Sequence, residues 1–481
     1  MREISQQEVL DRLKFDNPWW NEPGIDLFYR EMAPRTYLQP FEKLVSAEDV
    51  KRAVILMGPR RVGKTVLLHQ TIQHLIDAGI DGKKILYVSL ETPFYTGLAL
   101  EKIVNNFIGL FGHTRNNRLH IFFDEIQYLK NWEIHLKSLV DSYRNFRFIA
   151  TGSAAAALRL KSRESGAGRF TEFLLPPLTF AEYLRFVGKE DELIILDNND
   201  DHNALFFKTT DIEHLNDEFL HYLNYGGYPE AVFSPVIQRD SSRFIKSDII
   251  DKVLLRDLPS LYGINDIQEL NRLFTTIAYN TGDEVSLDGL AKSSGVAKNT
   301  IRKYLEYLEA AFLIRRVQRI DRNARRFERA TTFKVYLTNP SMRAALFGPV
   351  DRKSEAMGSL TETAIYAQWF HSPELVDDIH YARWPEGEVD IVACDHATQK
   401  PDWVVEVKWS DRAFANPGEV SAVVDFIQKN RSGKTQERGP LVTTYSQSGS
   451  KELNGQLIRF LPSSLYCYTV GKNLTRRIPG S

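Results

Sequence analysis

The chain has 481 residues, with 61 Lys plus Arg against 62 Asp plus Glu and a net charge of −1. That balance excludes a globally basic nucleic-acid coat, while local patches stay open. Two cysteines, Cys394 and Cys467, lie outside any CxxC pair, which excludes a zinc ribbon or a disulfide framework and fits a reducing cytoplasm.

At roughly 100–200 residues per domain, about three domains are expected. The first residues, Met1–Glu8, are polar and lack a signal-peptide core, and no apolar run reaches the roughly 18–20 residues that span a bilayer. The expectation is a cytoplasmic protein with no membrane contact. Residues 1–50 read as helical and loop segments, with Trp19 and Trp20 packing onto the domain that follows.

Residues 51–175 alternate strands and helices, the pattern of a parallel α/β sheet. Ala53–Met57, Ile85–Leu90, Leu119–Phe123 and Phe146–Ala150 are short apolar runs, as strands buried on both faces should be. Between the first of them and a helical stretch lies Gly58-Pro59-Arg60-Arg61-Val62-Gly63-Lys64-Thr65, which fits GxxxxGK[ST]. Glycines let the loop turn its N–H groups inward, and the helix N-terminus adds partial positive charge, so the loop suits the phosphates of ATP. Lys64 should reach the β- and γ-phosphates, and Thr65 should ligate Mg²⁺. The strand Ile121–Phe123 then delivers Asp124, expected to hold Mg²⁺ through water, and Glu125, expected to orient or deprotonate the attacking water. A further strand ends in Ala150-Thr151-Gly152-Ser153. Ser153, or Thr151, is the candidate sensor of the γ-phosphate. Arg169, past Gly166 and Gly168, is either a finger on a nucleotide, in cis or in a neighbouring subunit, or a surface arginine.

Together these motifs, with Phe122–Gln127, Leu175–Leu178, Gly226–Ala231 and Ile249–Leu258, resemble a large prokaryotic family of AAA-superfamily ATPases. In that family the ATPase core is fused to a C-terminal domain of unknown function. The resemblance covers about residues 30–430. It implies an AAA-type core followed by a helical lid and connector over 176–280. It also raises a homo-oligomeric ring, in which one subunit's arginine completes the next subunit's site.

Residues 281–330 read as a winged-helix domain. A short helix starts near Val285, Ser294-Gly295-Val296 turns, and a second helix runs from Ala297 to Glu309. Its polar face carries Lys298, Asn299, Thr300, Arg302 and Lys303, which suits a DNA groove. A basic run follows: Arg315, Arg316, Arg319, Arg322, Arg325, Arg326 and Arg329, opposed in sequence by Asp321 and Glu328. Salt-sensitive contact with DNA phosphates is one reading. Docking onto a protein partner, or a solvated face, is the other.

From 331 to 481 strands return. Gly387–Val392 carries Asp390, and Trp403–Trp409 carries Glu406 and Lys408, which share a face at the two-residue period of a strand. Glu362 sits on a helical stretch upstream. Asp390, Glu406, Glu362 and Lys408 resemble the PD-(D/E)xK nuclease pattern, so a restriction-endonuclease-like α/β domain is expected. Its carboxylates would hold Mg²⁺. Val389 replaces the usual proline before the acid. Thr338-Asn339-Pro340 lacks the Asp expected in relatives, so no catalytic role is placed there. The leading expectation is an ATPase that couples turnover to handling double-stranded or branched DNA. Two alternatives stand: an ATP-dependent switch whose C-terminal half binds protein without cutting, and an ATP-gated Mg²⁺-dependent nuclease.

Overall fold

Five consecutive apolar residues leave no polar face to show to water, and Ala53–Met57 is buried along its whole length as strand β1. The computed structural model describes residues 5–47, 50–95, 97–152, 168–201, 204–264, 266–326, 331–430 and 439–478. Four more strands join β1: β2 (Ile85–Ser89), β3 (Leu119–Asp124), β4 (Phe146–Gly152) and β5 (Phe170–Leu174). Their order is β2-β3-β4-β1-β5, and every pairing is parallel. All C-terminal ends therefore lie on one edge. Because β4 sits between β1 and β3, its last residues separate the loop after β1 from the acids after β3.

The outer strand β2 would leave unpaired backbone groups at the sheet edge. The N-terminal segment supplies the partners. Asn17 acts as a one-residue strand: its Oδ1 accepts from Tyr87 N at 2.6 Å, and its Nδ2 donates to Tyr87 O at 2.9 Å. The indole N–H groups of Trp19 and Trp20 both donate to Ile85 O, at 3.2 and 2.8 Å. Trp20 also stacks on Phe107 at 5.5 Å. The tryptophan pair is thus a packing device that seals the edge. These elements belong to one compact unit, Met1–Pro176 with Ile478–Ser481; the second unit is Pro177–Arg477.

The second unit departs from the helical stretch expected over 176–280. Helices Phe180–Phe186 and Ile212–Tyr225 flank an antiparallel pair, β6 (Ile194–Asp201) and β7 (Ala204–Thr209). The polar residues Asn198–Asp201, which read as a loop, form the end of β6. Ser242–Asp251 and Val253–Asp257 are wound as π-helix. Helices Leu287–Ser294 and Lys298–Ala310 are joined through Gly295, at φ 74°, a left-handed position glycine reaches without strain.

The remaining strands form one nine-stranded sheet among the described residues. They are β8 (Glu284–Ser286), β9 (Ile314–Ile320), β10 (Thr332–Leu337), β11 (Ile379–Trp384), β12 (Gly387–Cys394), β13 (Pro401–Glu406), β14 (Leu441–Thr444), β15 (Gly449–Leu453) and β16 (Gln456–Pro462). Strand β9 pairs antiparallel with β10 and parallel with β11, so the sheet runs across the boundary expected near 330. Strand β13 stops at Glu406, three residues short of expectation. Beyond it the Thr443 hydroxyl accepts from Lys408 N at 2.8 Å and donates to Lys408 O at 3.0 Å, so a side chain replaces the ladder. Helix Met357–Trp369 packs on this sheet, with Tyr366 stacked on Tyr336 at 4.0 Å.

Replacing Asn17 with Ala strips the buried Tyr87 N–H and C=O of their partners. Each orphaned buried group costs about 1–3 kcal/mol. Denaturant unfolding of Asn17→Ala should show the first unit destabilised by about 2–4 kcal/mol, with nucleotide affinity little changed in the folded fraction.

Candidate functional site

The loop after β1 is shaped by its glycines. A Cβ on Gly58 would lie 2.2 Å from Leu175 O, so only glycine fits there. Gly63, at φ 96°, turns the chain into helix Lys64–Asp77, and Arg61 also takes a left-handed φ of 65°. Lys64 is buried, and its ammonium donates to Gly58 O at 3.0 Å and Pro59 O at 2.7 Å, across the mouth of its own loop. Arg35, from the N-terminal segment, is buried behind it. Its guanidinium donates to Val62 O at 2.8 Å and Pro176 O at 3.1 Å, which fixes the loop from the rear. Arg60 hydrogen-bonds the Tyr128 hydroxyl, which itself donates to Glu91 at 2.9 Å.

Asp124 ends β3 with 2% of its surface exposed. It accepts from Thr65 Oγ1 at 2.8 Å, from the Tyr87 hydroxyl at 2.9 Å, and from Thr151 Oγ1. Burial and the neighbouring Glu125 raise its pKa, and the three hydroxyls pull the other way. Thr151 also accepts from Glu125 N at 3.0 Å. One threonine therefore locks both acids, as its place on β4 between β1 and β3 allows. Glu125 turns through a left-handed φ of 54°, and its carboxylate accepts from the Gln127 amide. The structure thus assembles Lys64, Thr65, Asp124, Glu125 and Thr151. Tyr87 was not foreseen. It pairs with Phe122, two residues before Asp124, so the strand period sets it on the same face as that acid.

Two other expected members are placed differently. Ser153 lies outside the described residues. Arg169 is at the other edge of the sheet: its carbonyl accepts from Ala53 N at the start of β1, and its guanidinium pairs with Asp141 at 2.8 Å. The length of β1 separates it from the loop, about 16 Å at 3.3 Å per residue. It does not join the nucleotide site of its own chain.

In the second unit Glu362, Asp390, Glu406 and Lys408 do converge, but around an unexpected cation. Lys334 on β10 is 4% exposed, and its ammonium lies 2.7 Å from Glu388, 2.9 Å from Glu362 and 3.3 Å from Asp390. Lys408 pairs with Glu406 at 2.6 Å. Asp390 accepts from Val407 N at 2.9 Å, and Tyr336 donates to Glu362 at 2.5 Å. Burial pushes the Glu362 and Glu406 carboxyls up. At Asp390 burial pushes the same way, but the two ammonium groups outweigh it and hold the carboxyl low. The sequence pattern places Mg²⁺ at Asp390 and Glu406, with Glu362 and Lys408; here Lys334 and Lys408 are the cations beside these carboxylates. Mg²⁺ demands near-octahedral oxygen contacts of about 2.0–2.1 Å, and here an ammonium fills the space between the carboxylates. Among the described residues no group of three or more His, Cys, Asp and Glu side chains is arranged to hold a metal ion. The signal for Lys334 was legible: a lysine within the strand Thr332–Leu337 needs buried carboxylate partners.

Several arginines of the basic run have partners within the chain. Arg315 pairs with Asp377, Arg316 with Glu309 at 2.5 Å, and Arg326 with Asp378 at 3.3 Å. Arg319 donates to Arg383 O at 2.8 Å. Arg322 lies 5.9 Å from the centre of the Trp384 ring. Arg329 lies outside the described residues. Strand β9 sits inside the sheet, so Arg315 and Arg316 meet acids on other elements, Asp377 and Glu309. On helix Lys298–Ala310, Lys298 pairs with Asp288, whereas Asn299, Arg302 and Lys303 are exposed.

Residues 50–184 match the family model described as "AAA domain", and residues 216–353 match a domain of unknown function, DUF8612. An uncharacterised protein of Haemophilus influenzae is 24% identical over 377 residues, covering 77% of this chain and 85% of the relative. An uncharacterised protein of Methanocaldococcus jannaschii is 25% identical over 356 residues, covering 72% and 67%. Among solved structures, AMPPCP-bound DnaA from Aquifex aeolicus aligns with 12% identity and a TM-score of 0.29, covering 58% of this chain and 90% of that one. Among the described residues no helix is long and apolar enough to cross a membrane. The span similar to an AAA domain, residues 50–184, contains the whole β2-β3-β4-β1-β5 sheet and the loop Gly58–Thr65.

Proposed function

We propose that this chain binds and hydrolyses MgATP at Gly58–Thr65 and couples turnover to contact with DNA, while its C-terminal unit binds without cutting. The hydrogen-bonded set Thr65–Asp124–Thr151–Glu125 carries the hydrolytic part. The loop's N–H groups and the helix N-terminus receive the phosphates. Lys64 leaves Gly58 O and Pro59 O for the β- and γ-phosphate oxygens. Thr65 and Asp124 already share a hydrogen bond, the pairing expected of groups that hold a hydrated Mg²⁺, and the bound ion supplies charge neutralisation to the phosphates. Glu125 orients water and takes up its proton, with Thr151 setting its backbone. Ser153 is a further candidate for the γ-phosphate. Arg169 faces away from its own site, so a finger role there would require a neighbouring copy in a ring.

DNA contact is supported by exposed Asn299, Arg302 and Lys303 on the second helix of the winged-helix reading. The paired arginines 315, 316 and 319 contribute less than their number suggests. The Lys334 cluster favours a binding role for the nuclease-like unit over cleavage.

Glu125→Gln should retain ATP, read by a fluorescent analogue, and lose turnover by about 10²–10⁴-fold, the usual share of a positioned base. Turnover near wild type would overturn the hydrolytic assignment. Double-stranded or branched DNA should bind the Glu125→Gln protein at low salt and change the ATP turnover of the wild type. Absence of both effects would remove the DNA reading.

A Lys64→Ala background silences the nucleotide site for Mn²⁺ titrations by electron paramagnetic resonance. The otherwise native protein should show no further bound Mn²⁺, and it should not cleave DNA. Adding Lys334→Met should create a Mn²⁺ site, with the second unit destabilised by about 3–5 kcal/mol as its carboxylates lose their cation. Mn²⁺-dependent cleavage by wild type that is abolished in Asp390→Ala would restore the nuclease alternative.

A further inference from the structure

The ATPase unit has a second concave site, on the sheet edge opposite its phosphate loop. A cleft of about 480 Å³ opens among the residues that lead into β1, β2, β3 and β4. Lys51, Arg52, Lys84, Arg118, Arg144 and Arg147 line it, with Asp81 as the acid in the lining. Asp81 already accepts from Lys83 N at 3.0 Å as the cap of a short helical turn.

Of the six cations, Arg147 builds the wall and Arg118 lies near His120. Arg147 is half-buried and donates to Val45 O at 3.0 Å and Arg52 O at 2.9 Å, as well as to Leu44 O and Val50 O. It fixes the segment leading into β1 as one side of the cleft. His120 sits beneath. Burial, with Arg147 and Arg118 nearby, lowers its pKa to about 4, so it adds no charge near neutral pH. Its Nδ1 is buried without a hydrogen-bond partner among the described residues.

Four cations remain for something else. Lys51, Arg52, Lys84 and Arg144 are exposed, and none has an acidic partner among the described residues. A chain of net charge −1 has acids to spare, as the paired arginines of β9 show. Unpaired like charges around one hollow repel each other, a cost that a bound polyanion removes. The floor also carries aromatic surface: Tyr143 and Phe146 line the cleft and stack on each other at 4.7 Å, and Arg115 lies 5.5 Å from the Tyr143 ring. Cations that follow a backbone, joined to aromatic faces, are the pattern of single-strand nucleic-acid binding.

We propose that this cleft binds the phosphodiester backbone of a single nucleic-acid strand, with Lys51, Arg52, Lys84 and Arg144 as its phosphate contacts. It rests on the nucleic-acid reading of the function and places the contact in the ATPase unit rather than on the helix of Arg302 and Lys303.

The test is fluorescence anisotropy on the full chain with a labelled single-stranded oligonucleotide and a duplex hairpin. Salt is varied between about 50 and 200 mM. The proteins are wild type, a cleft variant (Lys51→Gln, Arg52→Gln, Lys84→Gln, Arg144→Gln) and a helix variant (Arg302→Gln, Lys303→Gln). The cleft variant should bind the single strand at least about tenfold more weakly, and its log–log salt slope should fall by about 3, at roughly 0.7 per phosphate contact. ATP affinity and melting temperature should match wild type, since none of the four residues touches the phosphate loop. Equal affinity and slope in the cleft variant, with loss confined to the helix variant or to the duplex, overturns the cleft and leaves the DNA reading standing. If wild type binds neither probe at the lowest salt, both fall together.

Discussion

A carboxylate with 2% of its surface exposed cannot keep its charge unless polar groups replace the water it has lost, and at Asp124 three hydroxyls do so. Each hydroxyl comes from a different element: Thr65 from the helix after the loop, Tyr87 from β2 and Thr151 from β4. The acid therefore fixes the distance between the phosphate loop and the strand that carries Glu125. The strand order makes this arrangement. With β4 between β1 and β3, Thr151 at the end of β4 reaches Asp124 and the Glu125 backbone together. The sealed edge of β2 belongs to the same construction, because Asn17 clamps the backbone of Tyr87, whose hydroxyl completes the set.

The second unit solves a similar problem with an opposite charge. Glu362, Glu388 and Asp390 come together at the join between β10, β12 and the helix Met357–Trp369. A metal ion is one way to neutralise such a group. The ammonium of Lys334 is another, and it needs no ligand supplied from outside the chain. Its strand also belongs to the β8–β9–β10 portion of the sheet, so the ion cluster ties two parts of the sequence into one continuous sheet.

Charge placement separates the two units further. In β9 the arginines find acids on other elements and become part of the packing. Around the cleft at the opposite edge of the β2-β3-β4-β1-β5 sheet, the cations face one another and a stacked aromatic pair. A charge run in sequence and a charged surface in space are different objects, because only the first ignores what lies beside it.

Local patterns made much of the first unit legible. A five-residue apolar strand, a glycine-bearing loop and a helix define the phosphate site, since the chemistry is carried by contiguous backbone and needs no distant partner. Ala53–Met57 was readable to the residue for the same reason: a continuous apolar run has few other folds open to it. The pairing of β6 and β7 was not, because the polar residues ending β6 read like a linker. Tertiary structure alone decided that Arg169 sits far from its own nucleotide site, that Thr151 bridges the two acids, and that the arginines of β9 are paired. It alone also placed Lys334 among the carboxylates of the nuclease-like pattern. Each of these depends on which strand lies next to which, and strand order is set by packing across long sequence separations. Residue type and spacing along the chain determine what a side chain can do; its neighbours in the sheet determine whether its charge is free to do it.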